Sequence, residues 1–319
     1  MTESRFAAPA WKVAFALAVV YVVWGSTYLA MAIAIETIPP LLMAGVRYVI
    51  AGSLLYAWAR ATGAPRPQLV HWRSALVVGG LLLLGGNGGV VWSEQRVPSG
   101  IAALLVSITP LWMVLMEWLR PKGHRPGLLA WSGLGLGLVG LVMLVRPSAE
   151  GRVDPLGVAV LIFATFSWAA GSLSSRSLPL PGSPQLATAM QMLAGSVLLT
   201  AFGLATGEAK DVHLAAISFR SVAALAYLIT FGALLGLTAY VWLLRVVPPV
   251  LVGTYAYVNP IVAVFLGWLI LHEPVTGRTL VAAAVILAGV VLITLSHRPA
   301  AKPREQETEA LPEGERQAA

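Results

Sequence analysis

A stretch of 29 residues occurs twice in this chain, 150 positions apart, among long apolar runs. Residues 91–119 match residues 241–269 at two tryptophans and two prolines, as well as at apolar positions: Trp92/Trp242, Pro98/Pro248, Pro110/Pro260 and Trp118/Trp268. Apolar matches arise easily by chance, but tryptophan and proline in one register do not. Residues 51–53 and 194–196 are both Ala-Gly-Ser and extend the match at a slightly different offset. The sequence therefore predicts two copies of one unit.

The apolar runs have the length of membrane spans. Hydrophobic residues make up 58% of the chain, charged residues 11%, and the mean hydropathy is +0.80. Soluble domains carry roughly 25% charged residues, and a span needs about 20 apolar residues. We therefore predict an all-α integral membrane protein with ten transmembrane helices, at 13–35, 39–60, 74–93, 98–119, 127–146, 155–175, 184–206, 219–244, 249–271 and 276–296.

Each predicted copy holds five helices, which is an odd number. The second copy must then enter the membrane from the opposite face, so the repeat is inverted, an arrangement typical of transporters with a substrate site between the halves. We place the first five-helix repeat at 1–147, a linker at 148–154, the second repeat at 155–297 and a disordered cytoplasmic tail at 298–319.

The distribution of basic residues predicts the orientation. With the N-terminus inside, 14 Lys and Arg side chains fall on the cytoplasmic side and six on the other, so both termini are expected in the cytoplasm. This rule accounts for the net charge of +7 without nucleic acid as a partner. The first apolar run is too long for a cleaved signal peptide and is followed at once by further spans.

Several classes of function require residues that this chain lacks. The chain has no cysteine, which excludes disulfides and thiolate metal sites, and no GxxxxGK[ST] loop for a nucleotide-driven pump. The glycines at 135, 137 and 140 fit a dinucleotide pattern by letters alone, but they lie in an apolar helix. Gly133 and Gly137 instead predict a close helix contact. We expect neither enzyme activity nor a cofactor or metal.

Several motifs resemble the EamA family of the drug/metabolite transporter superfamily, and the likeness covers residues 12–297. They are Trp24-Gly25-Ser26, the Val-Pro starts of the fourth and ninth spans, Asn259-Pro260 and His272-Glu273-Pro274. Among members of that family, the chain is most similar to a group of inner-membrane transporters. The resemblance implies an exporter of amino acids or related metabolites with a central cavity between two halves.

Three charged residues are candidates for transport chemistry. Arg47 is the only charge well inside a predicted span, so it should face a cavity or a partner, either as a ligand for a substrate carboxylate or packed against helix-end carbonyls and Glu36 or Glu94. Glu94 and Glu117 lie near the ends of the third and fourth spans, where either is a candidate for proton coupling or an ordinary interfacial charge.

Two prolines and two amides interrupt the apolar runs. Pro110 and Pro260 occupy equivalent positions in the two repeats, and each frees the main-chain carbonyl four residues earlier. The sequence therefore predicts a kink at each proline. Such paired kinks are suited to gating, but they also occur in any bundle of bent helices. Asn259 precedes the second proline. Asn87 lies within Gly85-Gly86-Asn87-Gly88-Gly89, where the glycines favour either close packing or local unwinding beside a substrate.

Aromatic residues are the remaining candidates. Trp24 and Trp168 fall at equivalent places in the first helix of each repeat, and Tyr28, Tyr240 and Tyr257 lie in other spans. Such side chains either line an apolar cavity or anchor helix ends at the interface.

The sequence thus favours a secondary transporter that exports small metabolites, most simply amino acids, by alternating access through a central cavity. The alternative is a multidrug exporter of lipophilic cations. The scarcity of buried acidic residues favours the first. Expected partners are a small-molecule substrate and the lipid bilayer, with protons as a candidate coupling ion, and the protein is a monomer or a homodimer.

Overall fold

A computed structural model of the chain describes residues 9–119, 127–145, 154–247, 252 and 255–296. Within these ranges every regular element is a helix and no strand occurs, which confirms the predicted all-helical class. The predicted linker, apart from Asp154, and the predicted tail lie outside the described residues.

The described residues form ten long helical segments, numbered here α1 to α10, and two short 3₁₀ helices between α7 and α8, Glu208–Asp211 and Leu214–Ala216. Their bounds are Ala10–Ala34 (α1), Pro40–Ala61 (α2), Leu69–Ser93 (α3), Ser99–Leu119 (α4), Leu128–Val145 (α5), Pro155–Ser177 (α6), Pro184–Ala205 (α7), Phe219–Tyr227 through Leu228–Leu237 to Thr238–Val246 (α8), Tyr255–Leu271 (α9) and Gly277–Ser296 (α10).

Seven of these helices, α1 to α4 and α6 to α8, are long and apolar enough to cross a membrane. In α5, α9 and α10 the apolar stretches are shorter: Leu128–Met143, Val258–Leu271 and Gly277–Leu292. The chain is therefore a membrane protein by composition and fold, and the count of ten spans stays a prediction.

Local sequence accounts for most helix starts. Proline occupies the first turn of α2, α6 and α7, where its missing N–H costs nothing, and Asp154 and Ser183 accept a main-chain N–H as caps of α6 and α7. The start of α3 was predicted too late, at residue 74. Gln68 and His71 form a reciprocal capping box at the true start, and His71 and Arg73 interrupt the apolar run on which the predicted start was based.

Equivalent helices of the two halves pack against each other. α2 lies along α7, and α5 lies along α10. Other large contacts also form matched pairs, with α1 against α8 and α9, and α6 against α3 and α4. In addition, α3 packs against α7, and α4 packs against α9. The central helices of the bundle are therefore α1 and α6, the first helix of each predicted repeat.

α5 and α10 approach each other closely at glycines, where no side chain separates the two backbones. A Cβ atom added to Gly289 would lie 2.6 Å from the carbonyl oxygen of Gly133 and 2.8 Å from the nitrogen of Gly137. The predicted close contact through Gly133 and Gly137 is thereby confirmed.

The two proline sites differ in outcome. α4 is interrupted between Ser99–Val106 and Thr109–Leu119, just before Pro110, and the Thr109 hydroxyl donates to the freed Val106 carbonyl at 2.6 Å. α9 instead runs as one helix from Tyr255 to Leu271 with Pro260 inside it. The helix is thus broken at the first predicted kink, Pro110, and continuous at the second, Pro260.

Two helices contain long π-helical segments. In α3 the segment is Gly80–Gly88, and in α8 it is Leu228–Leu237, about 148 residues further on. Such wide turns are rare and often occur at functional sites. The glycines of α3 had suggested local unwinding there, but no sequence prediction was made for α8.

Candidate functional site

The bundle encloses a cavity of about 70 Å³. Its walls come from α1, α2, α3, α4, α6, α8 and α9, and thus from both halves of the chain. The lining residues are Trp24, Thr27, Tyr28, Met31, Arg47, Tyr48, Gly86, Asn87, Val90, Val106, Ala164, Thr165, Trp168, Gly232, Leu237, Tyr255 and Asn259.

An aromatic cluster borders one side of the cavity: Trp24, Trp168 and Tyr255 line it, and Tyr240 packs against Trp24. Trp24 and Trp168 meet edge to face with centroids 5.9 Å apart, so the predicted equivalent tryptophans are in direct contact. The ring centroid of Tyr240 lies 4.8 Å from that of Trp24, and the ring centroid of Tyr255 lies 5.4 Å from that of Trp24. The geometry favours stacking of an apolar group against these rings.

The cavity has one lining residue with a permanent charge. Arg47 of α2 is only 3% exposed, and its Nε and Nη1 atoms find no hydrogen-bond partner among the described residues. Its guanidinium lies over the Tyr48 ring, 4.8 Å from the centroid. The side chain therefore does not snorkel to the membrane surface, and its charge can bind a ligand in the cavity.

Gly232 of α8 gives the guanidinium its space. A Cβ atom there would lie 2.8 Å from Nη2 of Arg47 and 3.0 Å from Cγ2 of Thr27. The Gly232 carbonyl also accepts from Nε1 of Trp24 at 3.3 Å. This residue belongs to the π-helical segment of α8, and Gly86 and Asn87 belong to that of α3, so both segments border the cavity.

The two predicted amides have different surroundings. The Asn87 nitrogen has only the sulfur of Met31 as a partner, at 4.0 Å, and its side-chain oxygen is buried without a partner in the described structure. Asn259, in the amide orientation that satisfies its neighbours, donates to the main-chain oxygens of Tyr255 and Tyr21 at 3.2 and 3.0 Å. Asn259 therefore joins α9 to α1, whereas Asn87 has capacity left for a ligand.

Glu94 follows the last residue of α3 and carries a buried carboxyl group. The residue as a whole is half-buried, but neither carboxylate oxygen contacts solvent or a hydrogen-bond donor of the described residues. Burial and the negative charge of Glu273 raise the pKa of Glu94 well above its ordinary value, and the positive charge of Arg47 opposes this shift.

The loops at this end of the bundle, called here the Glu94 end, are tied together across the two halves. Glu273, which follows α9, accepts from the nitrogen and the hydroxyl of Ser99, both at 2.8 Å, and from the nitrogen of Gly100 at 3.1 Å. Glu208, which follows α7, accepts from the nitrogens of Leu41 and Leu42 at 3.1 and 2.9 Å. Two carboxylates of the second half thus cap α4 and α2 of the first.

Two exposed ion pairs lie at the same end. Arg96 and Asp154 are 3.0 Å apart, and Arg220 and Glu36 are 3.8 Å apart. Exposed pairs of this kind contribute little to stability, because water screens both charges.

The structure thus brings most of the predicted site residues to one place. Trp24, Tyr28, Arg47, Asn87, Trp168 and Asn259 line the cavity, Tyr240 contacts its aromatic wall, and Glu94 lies one helical turn beyond the lining residue Val90. Glu117 is exposed towards the other end of α4 and lies outside the cavity. The side chain of Tyr257 is outside the described part of the chain. Pro110 and Pro260 are placed as described above.

Other contributors were missed from the sequence. Thr27, Tyr48, Thr165 and Gly232 line the cavity, and Glu208 and Glu273 hold the Glu94 end. The three-residue spacing of Thr27 from Trp24 was an available signal, because side chains three apart share a helix face. The position of Tyr48 next to Arg47 gave no such signal. The two capping glutamates make contacts more than 160 residues away, which no local pattern indicates.

Comparison with known proteins gives a consistent picture. The profile of the EamA-like transporter family matches residues 11–146 and 155–295. The "Uncharacterized inner membrane transporter YedA" of Escherichia coli K12 is 39% identical over 284 residues, which cover 88% of this chain and 90% of that protein. The "Probable amino-acid metabolite efflux pump" of Salmonella typhimurium LT2 is 25% identical over 299 residues, covering 90% and 96%.

A solved crystal structure has a similar fold. It superposes with a TM-score of 0.63 at 19% sequence identity, covering 89% of this chain and 96% of the other. At this identity the likeness concerns the fold alone.

Proposed function

This chain belongs to the EamA-like transporter family, as its motifs predicted, and we propose that it is a secondary transporter that exports small zwitterionic metabolites, above all amino acids. It acts without a cofactor, in an inner membrane of the bacterial type, with both termini in the cytoplasm. The proposal extends to alternating access through the cavity between its two halves.

The observation that carries this proposal is the state of Arg47. A charged group at membrane depth costs roughly 2.5–3.5 kcal/mol on insertion scales and is retained where it meets a partner or a ligand. Arg47 has two buried nitrogens without partners among the described residues, and it lines a cavity. A guanidinium offers a fork of donors that matches a carboxylate, so a substrate carboxylate is the natural ligand.

The rest of the cavity suits the remainder of an amino acid. Trp24, Trp168 and Tyr255 offer an apolar surface for a side chain, and Asn87 offers an unused amide oxygen. The volume of about 70 Å³ is far below the roughly 300–1,000 Å³ of pockets for drug-sized ligands. In this conformation the cavity suits a small metabolite.

The pairing of helices supports the inverted repeat and a rocking mechanism. Contacts between equivalent helices, α2 with α7 and α5 with α10, are expected when a pseudo-two-fold axis relates the halves. The ties of Glu208 and Glu273 hold the Glu94 end closed, so opening there has to break them. The interruption of α4 before Pro110 and the two π-helical segments supply places where helices can bend.

A multidrug exporter remains the second candidate because of two observations. Aromatic rings attract cations, and Glu94 is a buried carboxyl group of the kind that exchanges protons for cations. The positive charge of Arg47 in the cavity wall opposes this assignment, because it repels a lipophilic cation.

Counterflow in proteoliposomes tests the proposal. Vesicles with purified protein are loaded with a mixture of unlabelled L-amino acids, and uptake of the radiolabelled mixture is followed with and without an imposed pH gradient. We expect uptake by the wild type, a loss of at least about tenfold in Arg47→Gln, and partial retention in Arg47→Lys.

The matched control is Arg220→Gln, which removes an exposed arginine at the Glu94 end and should leave uptake unchanged. Lack of amino-acid uptake by the wild type, together with transport of a lipophilic cation such as tetraphenylphosphonium, would establish the second candidate instead.

A further inference from the structure

Two side chains that can carry opposite charges are buried near each other in this protein without forming a pair. Arg47 presents Nε and Nη1, and Glu94 presents both carboxylate oxygens, and none of these four atoms has a hydrogen-bond partner among the described residues. The two groups are close enough for the charge of Arg47 to act on Glu94, yet they are not within ion-pair distance. A structural role would predict a direct ion pair.

The position of Glu94 relates it to the cavity. Asn87 and Val90 line the cavity, and Glu94 follows Val90 by four residues at the end of the same helix. Side chains four residues apart share a helix face, so the carboxyl group continues the cavity-lining stripe of α3.

The ionisable groups that act on Glu94 come from three other elements. They are Tyr28 of α1, Arg47 of α2 and Glu273 after α9. Glu273 already accepts three hydrogen bonds at the start of α4, and Arg47 is the only one of the three with a permanent positive charge. Among these groups of the described structure, Arg47 is therefore the one cation that acts on Glu94.

We propose that Glu94 binds the ammonium group of the substrate while Arg47 binds its carboxylate. This inference rests on the proposed function and narrows it to solutes that carry both charges, namely α-amino acids and similar zwitterions. Monocarboxylates without an amine leave Glu94 without a partner, and amines without a carboxylate leave Arg47 without one, so the site discriminates against both.

The assignment also gives Glu94 a proton to release. Burial favours the neutral carboxylic acid in the empty site, and an arriving ammonium group favours the carboxylate. Binding of one zwitterion then releases one proton from Glu94 to the solution, with no other bond made or broken.

The test compares substrate preference in Glu94 variants. Counterflow is measured with the radiolabelled L-amino-acid mixture and, separately, with radiolabelled propionate, for the wild type, Glu94→Gln and Glu94→Asp. Glu36→Gln is the matched control, because it neutralises an exposed carboxylate near the same end of the bundle. Thermal unfolding of each purified variant verifies that it is folded.

We expect Glu94→Gln to lose amino-acid counterflow by at least tenfold while its ratio of propionate to amino-acid uptake rises. Glu94→Asp, which keeps the charge, should retain part of the amino-acid uptake, and Glu36→Gln should behave as the wild type does. A merely structural role for Glu94 would not change the ratio of the two solutes.

Each other outcome is also decisive. Amino-acid uptake by the wild type that persists in Glu94→Gln overturns this inference and leaves the proposed function intact. Absence of uptake by the wild type overturns both. Loss of the folded protein in both Glu94 variants assigns Glu94 to stability and overturns the inference alone.

Discussion

The substitution Glu273→Ala should destabilise the protein strongly, because it removes the acceptor of three hydrogen bonds that join the two halves. The nitrogen and hydroxyl of Ser99 and the nitrogen of Gly100 would lose their partner at the start of α4. Ser99 is 1% exposed, so these donors are not well placed to be hydrated instead.

The expected loss in the free energy of unfolding follows from the cost of leaving buried hydrogen-bond donors without an acceptor. A buried donor left without a partner costs about 1–3 kcal/mol, and loss of a single helix cap costs about 0.5–2 kcal/mol. Three donors would give several kcal/mol if they were independent, but Glu273 itself is half-buried and water can enter its place. We therefore expect a loss of about 2–4 kcal/mol in the free energy of unfolding.

The assay is thermal unfolding of the purified protein in detergent, followed by intrinsic tryptophan fluorescence. At about 2 °C per kcal/mol for a chain longer than 200 residues, the midpoint should fall by roughly 4–8 °C. Glu273→Gln, which keeps an acceptor oxygen but not the charge, should fall by less. Glu36→Ala, at an exposed carboxylate, should stay within 1 °C or about 0.5 kcal/mol of the wild type. Equal midpoints for Glu273→Ala and Glu36→Ala would refute the reasoning.

Three further predictions follow from single positions. Gly232→Ala should displace the guanidinium of Arg47 and reduce counterflow about tenfold with little change in the unfolding midpoint, since the obstructed atom ends a flexible side chain; a normal rate would refute it. Gly289→Ala should cost about 1–3 kcal/mol in thermal unfolding, because its Cβ meets main-chain atoms of Gly133, whereas Gly135→Ala, with open space around it, should be neutral or stabilising. Because the pKa of Glu94 is raised, protons compete with the substrate ammonium group, so amino-acid binding should weaken as the pH falls through that raised pKa, and Glu94→Gln should abolish the pH dependence of the remaining uptake.

Local sequence signals predicted much of the architecture. Apolar runs and prolines indicated the helices and several of their starts, as with Pro40 and Pro184, because membrane burial and a missing N–H act on each segment by itself. Trp24 and Trp168, which the repeat places at equivalent positions and which were candidates for a cavity wall, line the cavity and are in contact.

Most of what escaped prediction depends on side-chain contacts that the repeat does not share, several of them with distant parts of the chain. Pro110 and Pro260 look equivalent in sequence, yet only α4 is interrupted. At the first site the Thr109 hydroxyl bonds the freed carbonyl, and at the second site Asn259 bridges to Tyr21 of α1. The caps formed by Glu208 and Glu273 likewise depend on how the second half lies against the first.

The π-helical segment of α3 sets the rotational phase of everything that follows it. An α-helix advances about 100° per residue, so each extra residue that wide turns absorb rotates the next segment by that amount. The directions of the Val90 and Glu94 side chains therefore depend on the π-helical winding of Gly80–Gly88. Removal of one residue, such as Leu84, would let α3 rewind as an α-helix and carry Glu94 round towards another neighbour. In this bundle, helix winding is as much a determinant of the site as the identity of the side chains.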